Sequence, residues 1–272
     1  MTRSMLDQIL SRSIDGGSDA EAWRDFHEAS KTSRHGAFPS PQEVARRMAE
    51  MAPGFEYLGY PIQPLPPAPP LEGRLSEVMT ARRTGRDIGP GPLSAEQLSA
   101  LLFYSCGVTR DETAAGFPRT FRVTPSAGAL YPLELYVHTR DTAAVAAGLH
   151  HYEPQRGRLR TLTPGDQTAA VAATLVEPQL AERSSALVFI TAVFERATFK
   201  YGDRGYRFAL LEAGHAAQNL VLTAQALGLG AVTLGGYFDR DADRLLGIDG
   251  LEHATIYVIA VGHPTGRDWL GL

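Results

Sequence analysis

At 272 residues, 44% of them hydrophobic, the chain is long enough to bury a sizeable core. A net charge of -4, with 26 basic residues scattered among 30 acidic ones, argues against a polyanion-binding surface and so against nucleic acid as a partner. The single cysteine, Cys106, rules out an internal disulfide, fits a reducing cytoplasm and reads as a small core residue within an apolar helical pattern.

Residues 1–15 mix Arg, Asp and Ser with isolated Leu and Ile and hold no signal-peptide core. No later segment reaches the roughly 18 consecutive apolar residues of a membrane span, so a cytoplasmic, membrane-free protein is expected. Pro41 to Met51 places Val44, Met48 and Met51 on one helical face, which must pack against something. Pro61 to Pro70 carries so many prolines that an extended segment without helix or sheet ladders is expected there. The chain therefore divides into an arm and linker over 1–70 and a main domain over 71–272.

In the main domain Ser94 is placed to cap a helix through Leu98, Leu101 and Leu102 that stops at Gly107. Leu133–Thr139, Ala186–Val193, Ala231–Leu234 and Thr255–Val261 read as strands, and His151–Leu162 as a hairpin turning at Pro154–Gly157. Helical patterns cover Thr168–Arg183, Tyr206–Leu227 and Asp239–Leu246, giving an α+β fold with a mixed central sheet flanked by helices. The helix from Tyr206 repeats Leu210, Ala213, Ala217, Leu220, Ala224 and Leu227, with Leu211, Gly214 and Val221 on a flank. It should be buried on most sides, either in the core or at a subunit interface.

Four stretches carry candidate chemistry. Arg82, Arg83 and Arg86 beside Thr84 put three guanidinium groups within five positions, suited to phosphate and to the polar edge of a ring. Pro125, Ser126, Ala127 and Gly128 form a small-residue loop whose backbone can approach a flat ligand. Lys200 and Tyr201 open a polar, Gly-punctuated connection after a strand, with Tyr206 as a fallback; in an extended strand the two would face opposite ways, so the backbone has to turn there for both to serve one site. Leu234, Gly235 and Gly236 end a later strand, and Arg267 follows the last one.

Other patterns fail. The Gly-x-Gly within Gly228–Gly236 follows a helix and lacks the last glycine of the dinucleotide fingerprint. Glu212-x-x-His215 has di-iron spacing but no second copy, which leaves core or interface hydrogen bonding. His150 and His151 start a strand and face opposite ways, so no metal set is expected. A serine-hydrolase elbow is absent.

Arg82-Arg83-Thr84-x-Arg86, Pro125-Ser126-Ala127-Gly128-Ala129-Leu130-Tyr131-Pro132, Lys200-Tyr201 and the long small-residue helix, in this order, resemble the nitroreductase-like flavoproteins, and among them the peptide azoline dehydrogenases. The likeness spans about Leu75 to Pro264, and Phe26 to Lys31 also resembles the N-terminal segment of that branch. It implies a nitroreductase-like fold, an obligate homodimer with the long helix at its interface, and FMN as cofactor. The arginines would hold the phosphate and pyrimidine side, the Pro125–Gly128 loop would lie against the isoalloxazine from the other protomer, Leu234–Gly236 would approach the ring, and Arg267 would complete the phosphate site. Lys200 and Tyr201 would be the catalytic pair. The implied reaction oxidises thiazolines or oxazolines in a ribosomally made peptide to thiazoles or oxazoles, with hydride to flavin N5, a proton to the Lys/Tyr base and oxygen as final acceptor, alongside a cyclodehydratase partner. A NAD(P)H-dependent nitro or quinone reductase, or an inactive flavin-binding scaffold in a peptide-modifying complex, are the alternatives.

Overall fold

The computed structural model describes residues 22–34, 36, 38–117, 119–140 and 145–266. The first part of the chain gives α1 (Ala22–Ala29), α2 (Pro41–Glu50), β1 (Ile62–Pro64), α3 (Leu75–Ala81), β2 (Ile88–Gly89) and α4 (Ala95–Cys106). Next come β3 (Val108–Asp111), β4 (Thr120–Arg122), β5 (Leu133–Thr139), β6 (Gly148–Glu153), β7 (Arg158–Pro164), α5 (Thr168–Ala173) and α6 (Gln179–Arg183). The last part holds β8 (Ala186–Val193), α7 (Glu195–Tyr201), α8 (Asp203–Ala226), β9 (Gly230–Leu234), α9 (Asp239–Leu246) and β10 (His253–Pro264).

Eight of these strands form one sheet in the order β1-β7-β6-β5-β8-β10-β2, with β9 also paired to β10, and β3 and β4 form a separate hairpin. The expected strands Leu133–Thr139 and Ala186–Val193 form with those bounds, side by side at the centre. Every residue of β5 is buried because both faces of the sheet are covered, which is why these strands read as near-continuous apolar runs. Leu133, Leu135, Val137, Val188 and Ile190 pack beneath α4 and α8. Tyr136, Leu187 and Phe189 face Val171, Leu180 and Leu246 of α5, α6 and α9. Ser94 caps α4 in a reciprocal box with Gln97, and Cys106 at its end is core, its thiol pushed by burial up to about 12 and so unreactive.

The structure corrects four expectations. The sheet is not mixed among the described strands: β8 and β9 run in the same direction, joined by α8, but β10 lies between them and opposes both, so every ladder is antiparallel. The helix expected over Thr168–Arg183 is two short ones, because Pro178 biases Glu177 away from helix and stops the first. The proline segment does join a ladder: Ile62, Gln63 and Pro64 pair with Arg160, Leu159 and Arg158, an edge position where a missing proline N–H costs nothing. Finally, α8 is buried along Gly205, Ala209, Glu212, Ala213, Ala216, Ala217 and Leu220, whereas Leu210 is 41% and Leu211 59% exposed, leaving one face of the helix open in the single chain.

The arm packs on the main body rather than standing apart from it. Met48 of α2 is buried, and Arg47 lies over the Phe199 ring of α7 at 5.3 Å. Phe26 of α1 meets Tyr206 edge-on at 5.3 Å, while Arg207 donates to the His27 carbonyl. No helix among the described residues is long and apolar enough to cross a membrane.

Candidate active site

The Pro125–Tyr131 loop is wound tightly. Gly128 has φ +65°, Ala129 φ +53° and Tyr131 φ +48°, left-handed values that two of these residues adopt only because their surroundings enforce them. Ser126 Oγ accepts the Tyr131 N–H at 2.9 Å, and Tyr131 Oη accepts the Arg122 N–H at 3.0 Å. Arg122 itself is buried, stacks over the Tyr131 ring at 5.0 Å, and donates to the carbonyls of Pro53 and Leu133.

Against Gly128 stand Lys200 and Tyr201. A Cβ added at Gly128 would lie 2.7 Å from Lys200 Nζ and 2.7 Å from Tyr201 Oη, so both side-chain tips converge on its backbone, and its left-handed φ strains any other residue there. The backbone does turn at the pair, but as a helix and not a strand. Lys200 and Tyr201 occupy the end of α7, with Gly202 at φ +56° breaking into α8. Tyr201 packs edge-on against Phe208 at 4.9 Å, and Lys200 Nζ sits 5.0 Å from the Tyr201 ring centre.

A buried polar network fixes α7 to β5. Arg196 donates to Glu134 at 2.5 Å, His151 meets the other carboxylate oxygen at 2.7 Å, and the Phe55 N–H donates to Glu134 at 3.1 Å. Burial pushes the Glu134 carboxyl up, but Arg196 and His151 outweigh it and hold it at about 2. His150 instead bonds Thr139 and Thr161, so the two neighbouring imidazoles do face different surroundings.

A second cluster lies at the far side of β10. A cleft of about 600 Å³ is lined by Thr84, Arg86, Glu177, Arg183 and residues Val232 to Gly236. Gly85 lets the Arg82–Arg86 loop press on β9: a Cβ there would meet the Ala231 nitrogen at 2.9 Å, and its N–H bonds the Ala231 carbonyl at 2.9 Å. Arg183 pins the same loop through the carbonyls of Arg86 and Ile88. Val176, in the break made by Pro178, donates to the Gly236 carbonyl at 3.0 Å, and nothing lies within 4 Å of where a Cβ on Gly235 would stand. Arg82 and Arg83 follow the end of α3, Arg82 half-buried and Arg83 exposed. Arg267 lies outside the described residues.

Thus the structure joins Thr84 and Arg86 with Leu234–Gly236, and Gly128 with Lys200 and Tyr201. The Thr84–Arg86 loop lies on the β9 side of the sheet and the Gly128 loop leads into β5, with β10 and β8 between those two strands. Tyr206 packs between Phe26 and Phe194 as a helix-start aromatic. Sequence reasoning missed Arg183, which it placed in a continuous helix, and the Glu134–Arg196 pair, whose members lie 62 positions apart. It did single out Glu212, which is buried on α8, while His215 one turn on is exposed.

Comparison with known proteins decides the family: the sequence pattern described as Nitroreductase family matches residues 79–263. The chain belongs to that family. A nitroreductase-named protein of Methanocaldococcus jannaschii is 37% identical, over 65% of this chain and 86% of its own. The microcin B17-processing protein of Escherichia coli is 32% identical over 47% of this chain and 49% of its own. A trifolitoxin-processing protein of Rhizobium leguminosarum is 33% identical over 52% and 39%. The match thus spans half or less of each peptide-processing relative, and those two relatives bear out the branch to which the motifs point. Among solved structures, a nitroreductase of Anabaena variabilis agrees in fold with a TM-score of 0.64 at 24% identity, covering 85% of this chain and 49% of its own. The E. coli microcin synthetase complex bound to its truncated precursor peptide agrees at 0.57 and 24%, covering 91% and 92%. A nitroreductase of Desulfovibrio desulfuricans solved in complex with FMN agrees at 0.50 and 19%, covering 73% and 94%.

Proposed function

We propose that the protein is an FMN-dependent dehydrogenase that oxidises azoline rings in a peptide to azoles, and that it works as a homodimer. The observation that carries this reading is the convergence of Lys200 Nζ and Tyr201 Oη on the Gly128 backbone. The cofactor is FMN, and the cleft suits it: the Arg86 and Arg183 guanidiniums and the Thr84 hydroxyl are donors for a phosphate, and the open backbone at Gly235 admits a flat ring. When bound, the isoalloxazine would supply the two-electron acceptor for the hydride that leaves one ring carbon. Lys200 and Tyr201 take the proton that leaves the adjacent carbon. The buried Glu134–Arg196 pair keeps α7, and so both side chains, in register with the loop. The open Leu210–Leu211 face of α8 supports pairing of two copies, which would let one chain's loop and Lys–Tyr pair complete the other's cleft. The peptide-processing relatives support the substrate class, and a cyclodehydratase partner accompanies it.

The test replaces Lys200 with Ala and Tyr201 with Phe in FMN-loaded protein. Turnover of an azoline peptide should fall about 10²–10⁴-fold with flavin content unchanged; full turnover in both variants overturns the assignment. The archaeal relative's name favours one second reading, a NAD(P)H-dependent reductase, and rapid bleaching of the bound flavin by NAD(P)H would establish that instead.

A further inference from the structure

We propose that Pro53–Phe55, a loop of the N-terminal arm, is a positioning element of this site: it ties Arg122, which bonds into the Gly128 loop, to the Glu134–Arg196 pair, which fixes α7, and so keeps Lys200 and Tyr201 aimed at Gly128. That those two react rests on the function proposed above; the tie itself does not.

Pro53–Phe55 has no helix or strand of its own, so its peptide groups need partners from elsewhere or from water. Two of them take buried charges. The Pro53 carbonyl accepts the Arg122 guanidinium at 2.8 Å, nearer than the Leu133 carbonyl at 3.3 Å. The Phe55 N–H donates to Glu134 Oε1 at 3.1 Å, the same oxygen that takes Arg196 at 2.5 Å. The Phe55 ring centre lies 5.1 Å from that guanidinium, so one residue touches both members of the pair. Gly54 between them is buried, close enough to the carboxylate that a Cβ there would stand 3.6 Å from Glu134 Oε1. The loop is anchored on both sides, by the buried Met48 of α2 before it and by Tyr57 Oη, which meets Tyr136 Oη at 2.6 Å, after it.

Each contact leads to one wall of the site. Arg122 stacks on the Tyr131 ring at 5.0 Å and gives its own N–H to Tyr131 Oη at 3.0 Å, and Tyr131 is a left-handed residue of the turn that holds Gly128. Arg196 precedes Lys200 by about one turn of α7. Residues two apart in the arm therefore join two elements far apart in the chain, and Lys200 Nζ and Tyr201 Oη meet the Gly128 backbone where those elements face each other. A segment that only kept water from the Glu134–Arg196 pair would need the Phe55 ring but not the Pro53 bond to Arg122. The ring is itself 36% exposed, so its removal costs the core little and isolates the positioning role.

Hydrogen exchange over the 121–133 and 195–202 peptides of the full-length protein tests the tie without any substrate. Phe55→Ala should lower protection of both about fivefold, the worth of one partly buried contact between a guanidinium and an aromatic ring. One glycine inserted between Gly54 and Phe55 keeps every group but breaks their spacing, so at least one of the two peptides should lose protection to the same extent. In FMN-loaded protein Phe55→Ala should lower kcat for an azoline peptide about tenfold, through misplaced reacting groups, with KM and flavin content unchanged. Phe55→Tyr keeps a ring over Arg196 and should restore both protection and kcat. Protection kept in either peptide by Phe55→Ala, protection kept in both by the insertion, a loss that Phe55→Tyr does not restore, or a change in KM or flavin content in place of kcat overturns the proposal. Loss and rescue of protection in a protein that oxidises no azoline would overturn only the proposed reaction.

Discussion

The two halves of the candidate site are built in opposite ways. Around Gly128, Lys200 and Tyr201, the supporting groups come from distant parts of the chain: the buried Glu134 on β5 and Arg196 on α7, and the Pro53 carbonyl beyond α2. Around the cleft the supports are backbone contacts of short loops and the Arg183 side chain, and the side chains of Thr84 and Arg86 stand exposed. The difference matches the two tasks proposed for them. A proton acceptor has to be held within a fraction of an ångström before its substrate arrives, whereas a charged, flat ligand can itself order exposed guanidinium groups when it binds.

This contrast can be broken most severely at Arg196. Arg196→Ala leaves Glu134 buried without its main counter-charge and should cost about 3–5 kcal/mol, visible as a lower denaturant midpoint. Gly128→Ala should come next: the added methyl collides with both Lys200 and Tyr201 at a left-handed residue, so azoline turnover should fall at least about tenfold while FMN content stays constant. In the cleft, Arg86→Ala combined with Arg183→Ala should raise the FMN Kd about 10–100-fold, by loss of charge-assisted bonds, without lowering the denaturant midpoint of the flavin-free protein as much as Arg196→Ala does. Acid sharpens the comparison further. Because Glu134 is held far below its ordinary value, its contribution is present above about pH 4.5 and is lost as pH falls toward about 2; the Arg196→Ala variant should show a flatter stability curve over that range. The smallest effect is expected on the open face of α8, where Leu210→Ser should shift a dimer toward monomer in light scattering while leaving the fold intact.

Much of the fold is legible in the sequence wherever a pattern is local. The apolar run Ala186–Val193, the Ser94 cap and the Pro154–Gly157 turn each state their structure within a few residues. The small-residue loop and Lys200-Tyr201 were legible through their motifs, yet the helical setting of the pair was not, because Glu195–Tyr201 is only a short helix whose position is set by Arg196 reaching Glu134. The exposed leucines of α8 show the converse: periodicity places Leu210 on an apolar stripe, but a single chain offers nothing to cover it. Arg183 escaped because a one-residue effect, Pro178, decides where the helix breaks and which residues face the cleft.

The proline-rich strand β1 has a consequence for assembly. It borders the sheet with three residues, and Pro61 and Pro64 at its ends have no amide hydrogen to offer a newcomer. That border is closed to extension by a strand from a neighbouring molecule. A neighbouring molecule finds on that side no ribbon of hydrogen bonds, the template from which fibres grow.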